Sequence, residues 1–187
     1  MQLEHINAKI FVEGELTVPL ARFIEVYHGW VASQAFDEML VDVADYRHVP
    51  RGPGVVMVGL ESDWSIDQTG GRFGLRYNRK APLAGTNDDR FAHSLRSAAK
   101  VCSLLEEKFA GLKFSRTEFE LFVNDRALSP HTPDGVENFK TALASFLKNA
   151  LGQAKFDATY PTDPRSLVGA VVRLPTPVDL ATVAAQA

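Results

Sequence analysis

The sequence predicts an α+β fold: a largely antiparallel sheet of about seven strands with about three helices packed mainly on one face. Three observations predict it. Strand patterns follow one another across turn residues, as where Gly70-Gly71 separates GVVMVGLESDWSIDQ from RFGLRYNRK. Three longer segments carry apolar residues at helical spacing. Strands and helices do not alternate in the βαβα manner that builds a parallel sheet.

Residues 5–13 read as the first strand, with Ile6, Ala8, Ile10 and Val12 on one face. Thr17 is the expected cap of the first helix, with Pro19 in its first turn and Leu20, Phe23, Ile24, Tyr27 and Val31 forming its stripe. MLVDVADY (39–46) is β-branched and nearly continuous in apolar residues, which predicts an inner strand. Covered on both sides, Asp42 would need a partner or a proton. HVPRGPG (48–54) is a stiff loop, because its prolines and glycines favour neither helix nor ladder.

With Gly70-Gly71 as a two-residue turn, one register explains both hairpin faces. It sets Trp64 across from Tyr77 and Ile66 across from Leu75, and puts Glu61, Asp63 and Ser65 opposite Lys80, Asn78 and Arg76. Asn87 is the expected cap of a helix running to Phe109. Its Phe91, Leu95, Ala98, Cys102 and Leu105 face the core, with His93, Arg96 and Lys100 on the far side. Residues 114–123 alternate as a strand. A third helix, stopped by Gly152, presents Val136, Phe139, Leu143, Phe146, Leu147 and Ala150. FDATY (156–160) and LVGAVVRL (167–174) read as closing strands. Residues 1–174 thus form a single globular domain, and 175–187 a C-terminal tail that is loose unless it packs on something. Each half offers a helix followed by paired strands, without a residue-level repeat.

Composition narrows the function classes. A net charge of −3 and a pI near 5.9 provide no basic excess for nucleic acid or an anionic membrane. Apolar stretches fall far short of the ~20 residues that span a bilayer. The N-terminus lacks the order of a signal peptide, and the lone Cys102 rules out an intrachain disulfide, so the expected location is cytoplasmic. The five histidines show no HxxxH or HxxH spacing, and neither GxxxxGK[ST], GxGxxG nor GxSxG occurs. No metal, cofactor or catalytic nucleophile is expected.

One set of residues stands out as a candidate ligand-binding site. Asp45, His48 and Arg51 leave a strand at spacing three and three and enter the Pro-Gly loop. A carboxylate beside an imidazole orients the ring and raises its pKa, as a proton shuttle needs. The alternative is a turn, in which Asp45 accepts loop N–H groups while His48 and Arg51 face water. The acidic groups of the hairpin's polar face each have a cationic neighbour in the predicted register, the pattern of a solvated or interface face.

The segment HVPRGPGVVMVGLE, continuing through SIDQTGGRFGLRYNRKA, resembles a bacterial protein family of uncharacterised function that carries an HVPxGPGVxxxGxE pattern; the likeness covers about residues 39–90. The resemblance implies a histidine within GxE, where this chain has Leu60, and it brings no activity, cofactor or catalytic residue. The leading expectation is therefore a non-catalytic assembly or binding module that forms a homo-oligomer, its partner a protein or a small molecule. The alternative is an enzyme or sensor for a small polar or anionic molecule, using Asp45, His48 and Arg51.

Overall fold

Two neighbouring strands, β1 (Ile6–Val12) and β6 (Phe114–Val123), form the centre of the architecture. The computed structural model describes residues 2–185. From β1 the chain passes through α1 (Leu20–Ser33), β2 (Leu40–Tyr46), β3 (Gly54–Gly59) and β4 (Ser62–Asp67), and returns in β5 (Gly74–Arg79), which pairs with β1. After α2 (Asn87–Lys108) the same course recurs in shorter form. β6 leads through α3 (Pro133–Leu151) and β7 (Asp157–Thr159) to β8 (Gly169–Arg173), which pairs with β6. The result is one eight-stranded antiparallel sheet in the order β2-β3-β4-β5-β1-β6-β8-β7. A short α4 (Leu180–Ala185) ends the described chain. No helix among the described residues is long and apolar enough to cross a membrane.

The helices cover the sheet face that carries Ala8, Ile10, Val55, Met57, Ile66 and Leu75, and these residues join Phe91, Leu95, Cys102, Phe139 and Phe146 in one buried core. The apolar stripes of α2 and α3 supply that layer, as their spacing requires. The predicted hairpin register holds: Trp64 faces Tyr77 and Ile66 faces Leu75.

Several expectations are corrected. β2 is an edge strand, and Asp42 is exposed on it. Its apolar run reflects half-burial against β3 and α1, where Leu40 reaches the core, and not cover on both faces. At this edge the register shifts between Leu40 and Asp42, and the Asp42 carboxylate takes the Val43 N–H at 2.7 Å. The helix starts also move. α1 begins after Pro19 with no side-chain cap, so Thr17 is outside it. α2 is capped by Thr86, which exchanges bonds with Asp89 in a capping box that Asn87 cannot form one residue later. The β4–β5 ladder ends at Asp67 and Gly74, and a wider loop with a 3-10 turn at Thr69–Gly71 replaces the two-residue turn. Past 175 the chain packs: Leu180 and Val183 of α4 are buried, and α4 lies against α2.

Among the described residues no helix covers the opposite face, yet Lys9 in its centre is wholly buried. Its ammonium donates to Asp67 Oδ1 (2.8 Å), the Thr69 carbonyl (2.8 Å) and the Arg72 carbonyl (2.7 Å), which uses all three protons. Asp67 also accepts from the Thr69 amide and hydroxyl and pairs with Arg76 at 3.2 Å. Gly74 makes room for the lysine, since a Cβ there would press on the Lys9 side chain and the Ile10 carbonyl. Burial pushes the Lys9 pKa down against the upward pull of Asp67.

Removing one member of a buried ion pair strands the other, typically at a cost of about 3–5 kcal/mol. Lys9→Met is therefore expected to cost about that much in urea denaturation. A variant within about 1 kcal/mol of the parent would show that the ammonium does not hold the loop.

A cleft between the second helix and the central hairpin

Residues 93, 96 and 100 lie three and four apart, which places them along one flank of α2. That flank borders a cleft of about 390 Å³, whose other walls include Phe36, Glu38, Glu61, Trp64 and Arg79. The α1–β2 loop reaches the cleft because Gln34 ends α1 in a left-handed conformation, and its side-chain amide bonds both the amide and the carbonyl of Leu40. This brackets residues 35–39 and brings Phe36 over Trp64, with ring centroids 5.3 Å apart at 30°. The Trp64 indole N–H donates to the Ser97 carbonyl of α2 at 3.2 Å, tying helix to hairpin.

Glu38 reaches the β3–β4 turn through space that Gly59 leaves open, since a Cβ at Gly59 would collide with its carboxylate. One carboxylate oxygen accepts the Glu61 amide (3.1 Å) and the Ser62 amide (3.0 Å), and the other accepts the Ser62 hydroxyl. Deeper in, the Tyr77 hydroxyl lies 3.0 Å from His93 Nε2. Burial raises the Tyr77 pKa, while nearby Ser62 and the charge of Arg79 act against the rise.

Most charges here are already engaged. Arg79 pairs with Glu61 at 2.9 Å and donates through Nε to the Ala81 carbonyl. Lys100 lies 3.7 Å from Asp37 and 5.3 Å from the Phe36 ring centre. Arg96 differs. Among the described residues it has no hydrogen-bond or ion-pair partner, and its Nε is buried with none. Burial, reinforced by the charges of Arg79 and Arg96, lowers the His93 pKa and keeps the imidazole neutral. The cleft therefore combines an uncommitted guanidinium, a neutral imidazole and an aromatic wall.

The strand-end set has a different form. Asp45 accepts from Arg47 through its amide (3.0 Å), Nε (2.8 Å) and Nη2 (2.7 Å). The backbone bond is the one the turn reading expects, but Arg47, which the sequence reading passed over, takes the carboxylate bidentately. His48 and Arg51 are exposed, the first beside Tyr46 and the second at a φ of 53°. No hydrogen bond or ion pair joins the three. Leu60, in the GxE position, is exposed near the β3–β4 turn. Cys102 is buried in the core, where burial raises its thiol pKa. Among the described residues no three His, Cys, Asp or Glu side chains gather as metal ligands.

Hydrogen bonds from Arg47 hold the Asp45 carboxyl down at about 2. Carboxyl NMR should find its midpoint there, and Arg47→Ala should return it toward the ordinary aspartate value near 3.9. An unmoved midpoint would show that Arg47 is not the cause. Comparison of the chain with protein-family models, with curated proteins and with solved structures finds no match.

Proposed function

We propose that the protein is a binding module that takes a small anionic molecule into the cleft between α2 and the hairpin. The observation that carries this reading is Arg96, a cleft-wall guanidinium with no hydrogen-bond or ion-pair partner among the described residues and with a buried, unbonded Nε. A guanidinium in that setting gains more from an anion than a solvated one does, because charge-assisted hydrogen bonds strengthen as water is excluded. His93 adds a neutral polar contact and Phe36 an apolar wall, which suits a compact ligand with a charged end. The small-molecule alternative is thereby moved from Asp45, His48 and Arg51 to residues of α2.

Calorimetric titration with phosphate, acetate and lactate tests this reading. At least one should bind, and Arg96→Gln should weaken it about tenfold. Thermal stability should hold, since Arg96 has no ion pair to lose. If none of the three binds at millimolar concentration, the reading falls.

Self-association is a second reading, and a separate observation favours it. Among the described residues, five of the six exposed large apolar residues gather at this edge: Met39, Val41, Tyr46 and Val49 along β2 and its flanking turns, and Leu60 in the neighbouring β3–β4 turn. Leu60 is bonded to Met39 through the backbone, so the patch continues across the edge. A second copy joined through these side chains would bury the patch isologously. Light scattering after size exclusion should then report a dimer that Val41→Lys and Leu60→Lys together convert to monomer. A monomeric parent at micromolar concentration would overturn this second reading.

A further inference from the structure

The sheet face that no helix covers has a groove of its own, of about 500 Å³, between the sheet centre and the loop that follows β7. That loop is anchored. Asp163 turns it by accepting the Arg165 amide, His131 Nδ1 meets the Ser166 carbonyl at 3.0 Å, and the Val168 carbonyl accepts the Val123 amide. Opposite Phe122 stands Gly169, where a Cβ would collide with the Phe122 side chain, so β8 leaves the floor open at that point. Phe122, Tyr160, Leu167 and Val171 make the groove largely apolar. Two charged side chains interrupt it, Arg76 from β5 and Glu120 from β6. They flank Lys9 in register, one on each neighbouring strand, and reach toward each other to 3.8 Å, which is beyond hydrogen-bond length. Among the described residues Glu120 accepts no hydrogen bond, and its Oε2 is buried without one. Arg76 pairs with Asp67 at 3.2 Å, but its Nε is likewise buried and unbonded. Side chains so placed gain from a ligand that serves both.

The charges at the centre of this face balance, Lys9 and Arg76 against Asp67 and Glu120. An ionic ligand would therefore bring an uncompensated charge into a largely apolar groove. A neutral ligand that both donates and accepts meets the two side chains together, since a guanidinium only donates and a carboxylate only accepts. We propose that this groove binds uncharged ring amides, in which an N–H and a C=O lie side by side. The N–H donates to Glu120, the C=O accepts from Arg76, and the ring lies against Tyr160 and Leu167. The Arg76 guanidinium is steadied over the Phe122 ring, 5.0 Å from its centre. The site lies on the other face of the sheet from the α2 cleft and does not rest on the anion-binding reading.

Calorimetric titration of the intact chain with uracil, 1,3-dimethyluracil and benzoate tests the proposal. Uracil is expected to bind. Dimethyluracil keeps the ring and the carbonyls but has no N–H, and should bind about tenfold more weakly. Benzoate is flat but charged, and should not displace uracil. Thr159→Trp, at an exposed position of β7 that borders the groove, should fold and block uracil. Glu120→Met removes the acceptor while keeping the bulk, and should lower uracil to the level of dimethyluracil. If Glu120→Met does not fold, Thr159→Trp and the comparison of the two uracils still decide. Arg96→Gln should leave uracil binding unchanged, which separates this site from the α2 cleft. The proposal is overturned if uracil fails to bind at millimolar concentration, or if dimethyluracil matches it or benzoate displaces it. It is equally overturned if a folded Thr159→Trp still binds uracil, if a folded Glu120→Met keeps the preference, or if Arg96→Gln abolishes the binding.

Discussion

A single buried ammonium holds together the half of the sheet that no helix covers. Lys9 lies on a central strand with its charge fully desolvated, and its three acceptors all come from the end of the β4–β5 hairpin. The cost of burying that charge is offset only because every proton has an acceptor and Asp67 supplies the opposite charge. The arrangement closes the loop from 68 to 73 over the strand and fixes where β4 and β5 start to pair. Because Trp64 and Tyr77 face each other in that ladder, it also bears on the cleft on the other side of the sheet. The polar network of one face and the cleft of the other thus share one register.

The sheet divides its chemistry by face. Strand residues pointing to the helices are mostly apolar; the polar ones include Asp45, opposite Val55 at the sheet edge, and Ser62, Tyr77 and Arg79 near the β3–β4 turn, by the polar flank of α2. That flank is available because α2 buries only its Phe91–Leu105 stripe, which leaves residues 93, 96 and 100 at the margin of the core. There a side chain is dehydrated enough to shift its pKa and open enough to meet a ligand. The strand-end loop with Asp45, His48 and Arg51 lies beyond this margin, in water, and its carboxylate is occupied by Arg47.

Much of the fold was legible because its signals are local. The alternation in 114–123, the stripes of α2 and α3 and the cross-strand match of Trp64 with Tyr77 depend only on neighbours along the chain or across one turn. Features that depend on tertiary placement were not legible. An apolar run such as LVDVADY reads alike for an inner strand and for an edge strand leaning on a helix. The burial of Lys9 follows from Gly74 beside it and from carbonyls some sixty residues away, which no window of sequence contains. The cleft was missed for a related reason. His93, Arg96 and Lys100 have the spacing of a solvated helix face, and only the bracketing of residues 35–39 by Gln34 encloses them. The usable hint was a histidine and two cations on one helix flank in a chain whose hairpin carries a tryptophan across from a tyrosine.

The edges of the sheet bear on how the chain behaves in concentrated solution. An open antiparallel sheet is a template, and unpaired amides along an edge can recruit a further strand and then another. One edge here is β7, only three residues long. The other is interrupted where the register slips after Leu40, and Asp42 occupies an amide of that strand with its own side chain. Neither edge presents an unbroken strand of the roughly six or seven residues from which cross-β stacking starts. The chain can therefore carry exposed apolar residues along β2 without entering the open-ended polymerisation that such a strand would otherwise invite.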